Sequence, residues 1–248
     1  MSHGLGVDGC RAGWFAVLLD ESGGHFWLYA DIQALALAQP DAPEILIDMP
    51  IGLPASAPRR SDREARRLLR RRASSIFPVP CRAALSAPDY ASACAINAHV
   101  LGVKLSRQSW NILPKIRELD DWLQASGERR WLEAHPELAF WALNGGEAMA
   151  HGKKTAAGLR ERLHLLERFW PGASALYAKA RAAYPKTPLA DDDIADALAL
   201  AVTARLAGGD LLRVPQTPAC DATGLPMQIV FAPLGTLQTS SLAPWKEG

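Results

Sequence analysis

The sequence has few cysteines and no long apolar run, and both deficits restrict the kind of protein that it can encode. Cys10, Cys81, Cys94 and Cys220 lie far apart without C-x-x-C spacing, so neither a disulfide framework nor a structural zinc site is predicted. No apolar stretch is long enough to span a bilayer, and the N-terminus lacks a basic region followed by an apolar run. We therefore expect a protein of the reducing cytoplasm with no membrane contact.

Net charge is almost absent as well, at +1 over 248 residues. This argues against a protein that follows a long nucleic-acid duplex, because such proteins are distinctly basic. The distribution of charge is nevertheless uneven, since nine arginines between positions 59 and 82 face only Asp62 and Glu64. These arginines predict a positive surface that binds phosphates or another acidic partner, although a solvated face or local ion pairs are the alternative.

The order of apolar runs predicts an α/β protein. Two strands and a hairpin partner fill about residues 6–31, and a continuous apolar run at 45–47 indicates a central strand. Helices are predicted at 62–72, at about 91–101 and 113–125, after Pro136, along 152–170 and at 189–207. We expect one domain over residues 1–248, with three antiparallel strands followed by parallel ones, flanking helices and an arginine-rich helical insertion at about 55–127. The tail from Pro215 suggests no chemistry.

Four aspartates stand where these elements end or begin. Asp8 closes the first strand, Asp48 closes the central strand, and Asp193 and Asp196 lie at i, i+3 spacing in the last helix, where side chains are neighbours. Sites in open α/β sheets form beside the carboxyl ends of strands, so these acids are candidates to converge.

Helix capping is the competing explanation for aspartates at a helix start, because a carboxylate there accepts free N–H groups. It accounts for Asp191 and Asp192 but less well for Asp196, which is followed by apolar residues and is therefore expected to be buried. Buried carboxylates that cluster raise each other's pKa unless a cation separates them. Oxygen ligands favour Mg²⁺ or Mn²⁺, and two such ions about 4 Å apart stabilise the attacking water and the leaving oxygen of a phosphodiester.

Other residues are candidates for supporting roles. Glu137 is either a further catalytic or metal-binding acid or a helix-dipole partner after Pro136, and the neighbouring His135 is a candidate to move a proton. Arg11 follows Asp8 closely and is the arginine most expected in the site. The remaining candidates for binding substrate phosphate are Arg63, Arg66, Arg82 and Lys154.

Several motifs together resemble a largely uncharacterised bacterial family described as predicted nucleases of RNase H-like fold. They are "GVDGCRAGW", "IDMPIGLP", "DREAR", "SSIFPVPCR", "HPELAF", "KKTAAGLRERL" and "DDDIADALA", and they run from Gly6 to about Ala207. The last of them also resembles the D-x-x-D-A-x-A-x-A signature of RuvC-type resolvases. The resemblance implies an RNase H-like sheet and metal binding by Asp8, Asp48, Asp193 and Asp196. Resolvases typically carry Glu at the position of Asp48.

The function that these observations predict is a metal-dependent nuclease or phosphodiesterase that acts on a nucleic acid or nucleotide. Two alternatives stay open at this point. One is a non-catalytic module that binds nucleic acid or an acidic partner, and the other is a phosphotransferase on the same fold. The sequence does not distinguish DNA from RNA.

Overall fold

The computed structural model of the chain describes residues 3–233, so the ends of the predicted domain, 1–2 and 234–248, lie outside the described residues. The strands are β1 Gly4–Cys10, β2 Gly13–Leu19, β3 Gly24–Tyr29, β4 Ile45–Asp48, β5 Trp131–Glu133, β6 Leu212–Val214 and β7 Ile229–Phe231. The helices are α1 Ile32–Ala38, α2 Arg60–Leu69, α3 Tyr90–Leu101, α4 Arg107–Ser126, α5 Pro136–Leu143, α6 Ala156–Phe169, α7 Ala173–Ala183 and α8 Asp191–Ala207. Two 3₁₀-helices cover Arg70–Ser75 and Arg82–Ser86.

Five strands form one mixed sheet in the order β3-β2-β1-β4-β5. β1, β2 and β3 pair antiparallel, whereas β4 pairs parallel with both β1 and β5. This confirms the predicted α/β class and the change from antiparallel to parallel strands. The parallel register sets Asp8 of β1 directly beside Asp48 of β4.

The two faces of the sheet have different coverings because successive side chains of a strand point to opposite sides. Val7 and Ile47 belong to an apolar cluster that also includes residues of α1, α3 and α4. Leu46 belongs instead to a cluster with Leu200 of α8. Asp8 and Asp48 alternate with Val7 and Ile47, so both acids are on the side of α8.

Helix α8 lies unusually close to β1. A Cβ atom at Gly6 would fall 2.2 Å from the carbonyl oxygen of Ala197 and 2.2 Å from the backbone nitrogen of Ala201. At Gly4 it would fall 2.1 Å from the Ala201 oxygen. Only glycine leaves room for this contact, and the many alanines of α8 keep the side chains of the helix small as well.

Helices α2, α3 and α4 and both 3₁₀-helices lie between β4 and β5, where the helical insertion was predicted. The arginine-rich helix is shorter than the predicted 62–72. It ends at Leu69 because Arg70 adopts φ 45°, in the left-handed region, and the chain continues as a 3₁₀-helix.

Other boundaries also differ from the prediction. α4 begins at Arg107, where the Ser106 side chain accepts the Ser109 N–H, and it includes Pro114. α6 begins after Thr155, whose hydroxyl accepts the Gly158 N–H. α7, β6 and β7 were not predicted, since a small-residue helix and three-residue strands give weak periodic signals. None of the helices within residues 3–233 has the length and apolarity needed to cross a bilayer.

We expect Gly6→Ala to destabilise the protein by about 2 kcal/mol, because the added methyl group forces α8 away from β1. The matched control is Gly152→Ala, where the nearest atom is the Thr155 methyl carbon at 4.0 Å. Urea unfolding of both variants measures the difference. Equal, small effects in the two variants would show that the α8–β1 contact can accommodate an added methyl group.

Candidate metal centre

Three aspartates from three elements meet at one point. Asp8, Asp48 and Asp196 each offer a carboxylate oxygen, and these oxygens all lie within 4.8 Å of one another. The parallel register places the first two side by side, and the close packing of α8 brings the third onto them. We call these residues the acid triad. The sequence predicted a convergence of four aspartates, and these three of them meet in the structure.

Asp196 is the most buried member of the acid triad, at 1% exposure. Its Oδ2 accepts a hydrogen bond from the Lys153 ammonium at 2.6 Å. Its Oδ1 is buried and has no hydrogen-bond partner in the part of the chain that the structure describes. A buried carboxylate oxygen without a partner is costly, and a cation bound by the acid triad would satisfy it.

Burial and mutual repulsion change the ionisation of the other two acids. Burial, followed by the charges of Asp48 and Asp196, raises the pKa of Asp8 well above its usual value. Burial and then the charge of Asp196 raise the pKa of Asp48 from 3.8 to about 7. Without a further cation, Asp48 is therefore partly protonated near neutral pH, whereas a bound metal ion would keep the carboxylates ionised.

Lys153 is the cation that the acid triad already has. Burial would lower the pKa of its ammonium, but Asp196, Asp48 and Asp8 together raise it above the ordinary value. The ammonium is also 3.7 Å from Asp192. The contact of Lys153 with Asp196, 43 positions away, has no local signal in the sequence.

Asp193 lies near the acid triad but is not part of it. It lines the same cavity, and its Oδ2 accepts the N–H of Ala190 at 2.8 Å, which caps the start of α8. The capping explanation therefore describes one oxygen of this residue. Its assignment as a metal ligand stays a prediction.

Glu137 is buried at the start of α5 and forms an ion pair with the equally buried Arg162. Its charge also contributes to the raised pKa of Asp48. His135 accepts the Glu137 N–H through Nδ1 at 3.2 Å, and its Nε2 donates to the Ser75 carbonyl at 3.3 Å. Burial lowers the His135 pKa, and with both ring nitrogens engaged this side chain is poorly placed to carry a proton.

A buried ion-pair network fixes the loop that follows Asp48. Arg59 donates to both oxygens of Glu133 at 2.6 Å and to Oδ1 of Asp62 at 2.9 Å. It also donates to the carbonyl of Ile51, whose N–H donates to Glu133. Arg59 is therefore not available to a phosphate. Glu133 stands at the end of β5, in the same kind of position as the aspartates at the ends of the other strands. This position at a strand end was the sequence signal for the network.

Two of the predicted phosphate-binding arginines do not line the cavity at the acid triad. Arg11 is exposed in the β1–β2 turn and is not among the residues that line the cavity around the acids. Arg82 does not line it either, because its guanidinium pairs with Asp120 at 2.6 Å and with Asp221 at 2.5 Å. This pairing ties the C-terminal segment to the insertion.

The other predicted substrate residues lie on accessible surfaces. Arg63 and Arg66 are exposed on α2, and Arg66 donates to the Ile76 carbonyl. Lys154 is exposed beside Lys153 and lines a second cavity of about 700 Å³ between α6, α7 and α8. Their contact with substrate stays a prediction.

A small cavity opens onto the acid triad. It has a volume of about 170 Å³ and is lined by Asp8, Asp48 and Lys153 on one side. Phe77 and Ile112, which come from the insertion, contribute apolar surface to it. Only Lys153 lines both this cavity and the second one. The arrangement can hold a cation beside a small, partly desolvated space.

A protein-family model described as protein of unknown function (DUF429) matches residues 6–219. The chain belongs to the DUF429 family. All members of the acid triad, together with Lys153, lie inside the matched range, so the site is part of the DUF429 region. No curated protein and no solved structure matches the chain.

The raised pKa of Asp48 predicts how the stability of this DUF429 protein depends on pH. Its folded pKa of about 7 exceeds the unfolded 3.8, so the metal-free folded state binds the proton more tightly. With metal chelated, the free energy of unfolding should therefore rise by about 1 kcal/mol as pH falls from about 8.5 to 6.5.

Denaturant unfolding of the wild type and of Asp48→Asn measures this dependence. The substitution should reduce the rise, because it removes the Asp48 carboxyl that titrates over this range. Saturating Mg²⁺ should reverse the trend, because protons then compete with the metal. A wild-type stability that is flat or falls over this range without metal would contradict the raised pKa.

Proposed function

We propose that the protein is a metal-dependent phosphodiesterase or nuclease of RNase H-like fold. The observation that carries the proposal is the acid triad with its buried, unpartnered Asp196 Oδ1. Three carboxylates held together in a largely buried place have a clear use when they bind a cation. A module that only binds a partner gives no reason to assemble them.

The strand order supports the RNase H-like assignment. Three antiparallel strands followed by parallel ones, with acids on the first strand, the central strand and the last helix, agree with what the sequence motifs imply. The short side chain of Asp48 is compatible with this role, because its strand lies directly beside that of Asp8.

The donor atoms fit Mg²⁺ or Mn²⁺. Asp8, Asp48 and Asp196 offer only carboxylate oxygens, the ligand type that these ions prefer. Asp193 lines the same cavity, and the charge of Glu137 acts on Asp48. When bound, the ion supplies Lewis-acid stabilisation of a phosphoryl oxygen and lowers the pKa of water.

The chain's own residues supply positioning and charge. Arg59 and Glu133 hold the backbone after Asp48, and the Asp193 cap fixes the start of the helix that bears Asp196. Lys153 places a positive charge at the cavity, where it would interact with a phosphate oxygen. Apolar side chains of the insertion reduce the water content around the reacting group, which strengthens these electrostatic interactions.

Calorimetric titration of Mg²⁺ and Mn²⁺ into metal-free protein tests the centre. We expect saturable binding that weakens more than about tenfold, or 1.4 kcal/mol, in Asp8→Asn and Asp196→Asn. Asp121→Asn on the exposed side of α4 is the matched control and should bind as the wild type does. Unchanged metal binding in both triad variants would reject the acid triad as the metal site.

Hydrolysis of bis(p-nitrophenyl) phosphate and of labelled oligonucleotides tests the activity. We expect turnover that requires Mg²⁺ or Mn²⁺ and falls by at least about a hundredfold in Asp196→Asn, since the variant loses metal and charge together. Metal binding without cleavage of either probe would count against a phosphodiesterase, and ATP turnover in its place would favour the phosphotransferase alternative.

Lys153 gives a separate prediction. Its ammonium already neutralises part of the acid triad, so Lys153→Gln should bind Mg²⁺ several-fold more tightly while hydrolysing the diester more slowly. Lys154→Gln, one position away and exposed, should leave the metal affinity unchanged. Weaker metal binding in Lys153→Gln would instead show that the lysine organises the acids.

A further inference from the structure

The exposed arginines of the insertion form one continuous positive surface. We call residues 60–75, which comprise α2 and the following 3₁₀-helix, the arginine segment. The face of α2 that packs inward buries Ser61, Asp62, Ala65 and Leu69. Arg60, Arg63 and Arg67 recur at intervals of three and four residues and therefore form a stripe on the opposite, exposed face.

Few acids neutralise this surface. Arg60 pairs with Glu64. Among the described residues, no carboxylate forms an ion pair with Arg63, Arg67, Arg70 or Arg71, all of which are exposed. Like charges at i, i+4, such as Arg63 and Arg67, destabilise a helix by a few tenths of a kcal/mol. The helix dipole compensates for cations in the last turn but not for Arg60 and Arg63 in the first. A polyanion would offset the repulsion along the whole stripe.

Both ends of the arginine segment reach the cavity at the acid triad. Arg59 and Asp62 line the cavity where the segment begins, and Ile76 and Phe77 line it where the segment ends. The positive stripe is therefore carried by a helix whose opposite, inward face forms part of the cavity wall. Phe77 is half-buried in the cavity wall and offers an aromatic surface on which a base can stack.

We propose that the arginine segment binds the sugar-phosphate backbone of a single nucleic-acid strand and leads it to the cavity at the acid triad. The proposal rests on the proposed function and names its substrate class as a polynucleotide. Guanidinium groups bind phosphate in a bidentate manner, which explains arginine rather than lysine at these positions. The 170 Å³ cavity is too small for a duplex, so a strand or a frayed end is the form that fits.

The test separates binding from cleavage. Fluorescence anisotropy with labelled 12-mer single-stranded DNA and RNA, with EDTA present, measures affinity across a salt series. We expect binding without metal, and log K falling linearly with log salt. Arg63→Gln/Arg67→Gln should reduce the steepness of that slope by about 1.4, the value for two lost phosphate contacts on a single strand, and weaken binding at low salt about tenfold.

The matched control is Arg129→Gln/Arg168→Gln, which removes two exposed arginines outside the segment and should leave slope and affinity unchanged. Equal thermal stability of the two double variants excludes a folding effect. No binding by the wild type, or the same slope in both double variants, would overturn the proposal. Poly-glutamate of matched length that binds as tightly as the oligonucleotide would also overturn it, in favour of an acidic protein partner.

Asp196→Asn distinguishes this proposal from the proposed function, because it should lose cleavage while it still binds the oligonucleotide through the arginine segment. Wild-type protein that binds the oligonucleotide but cleaves neither probe would contradict the proposed nuclease activity and would support the proposed binding surface. Protein that hydrolyses bis(p-nitrophenyl) phosphate but binds no oligonucleotide would contradict the proposed binding surface and would support the phosphodiesterase activity.

Discussion

The contact between β1 and α8, made backbone to backbone at Gly4 and Gly6, is the constraint on which the rest of the structure depends. It determines on which face of the sheet a helix packs most closely. It also brings the first turns of α8 next to the place where Asp8 and Asp48 lie side by side. The acid triad is a consequence of that geometry. A helix held at the usual distance by larger side chains would leave Asp196 too far from the two strands to share a cation with them.

Buried charge is the second constraint, and the protein handles it by pairing. Arg59 with Glu133 and Arg162 with Glu137 are nearly inaccessible, and each pair joins two segments that are distant in the sequence. The acid triad differs from these pairs, because the only ion pair that its three carboxylates form among the described residues is that between Asp196 and Lys153. The remaining negative charge distinguishes a site that can accept a cation from pairs that stabilise the fold.

The strands of the five-stranded sheet, the change from antiparallel to parallel pairing and the convergence of Asp8, Asp48 and Asp196 could be predicted because they follow from local signals. A continuous apolar run marks a central strand, and an acid before a wholly apolar helix marks a buried carboxylate. The partners could not be predicted in this way. The contacts of Lys153 with Asp196, of Arg59 with Glu133 and of Arg82 with Asp221 join residues 43, 74 and 139 positions apart, and no periodicity records them. Arg82 illustrates the difference, since an arginine expected to meet phosphate is engaged by two carboxylates of its own chain.

Because of the same glycine contact, the two walls of the cavity differ in how closely their backbones are packed. One wall is built from β1, β4 and α8, in which β1 contacts the backbone of α8 directly and pairs with β4. The other wall, with Phe77, Gln108 and Ile112, belongs to the insertion. A cation would meet ligands that are already in place and would lose little affinity to rearrangement. Adaptation to different substrates would then fall to the insertion, so changes in substrate preference can accumulate there without altering the geometry that holds the metal.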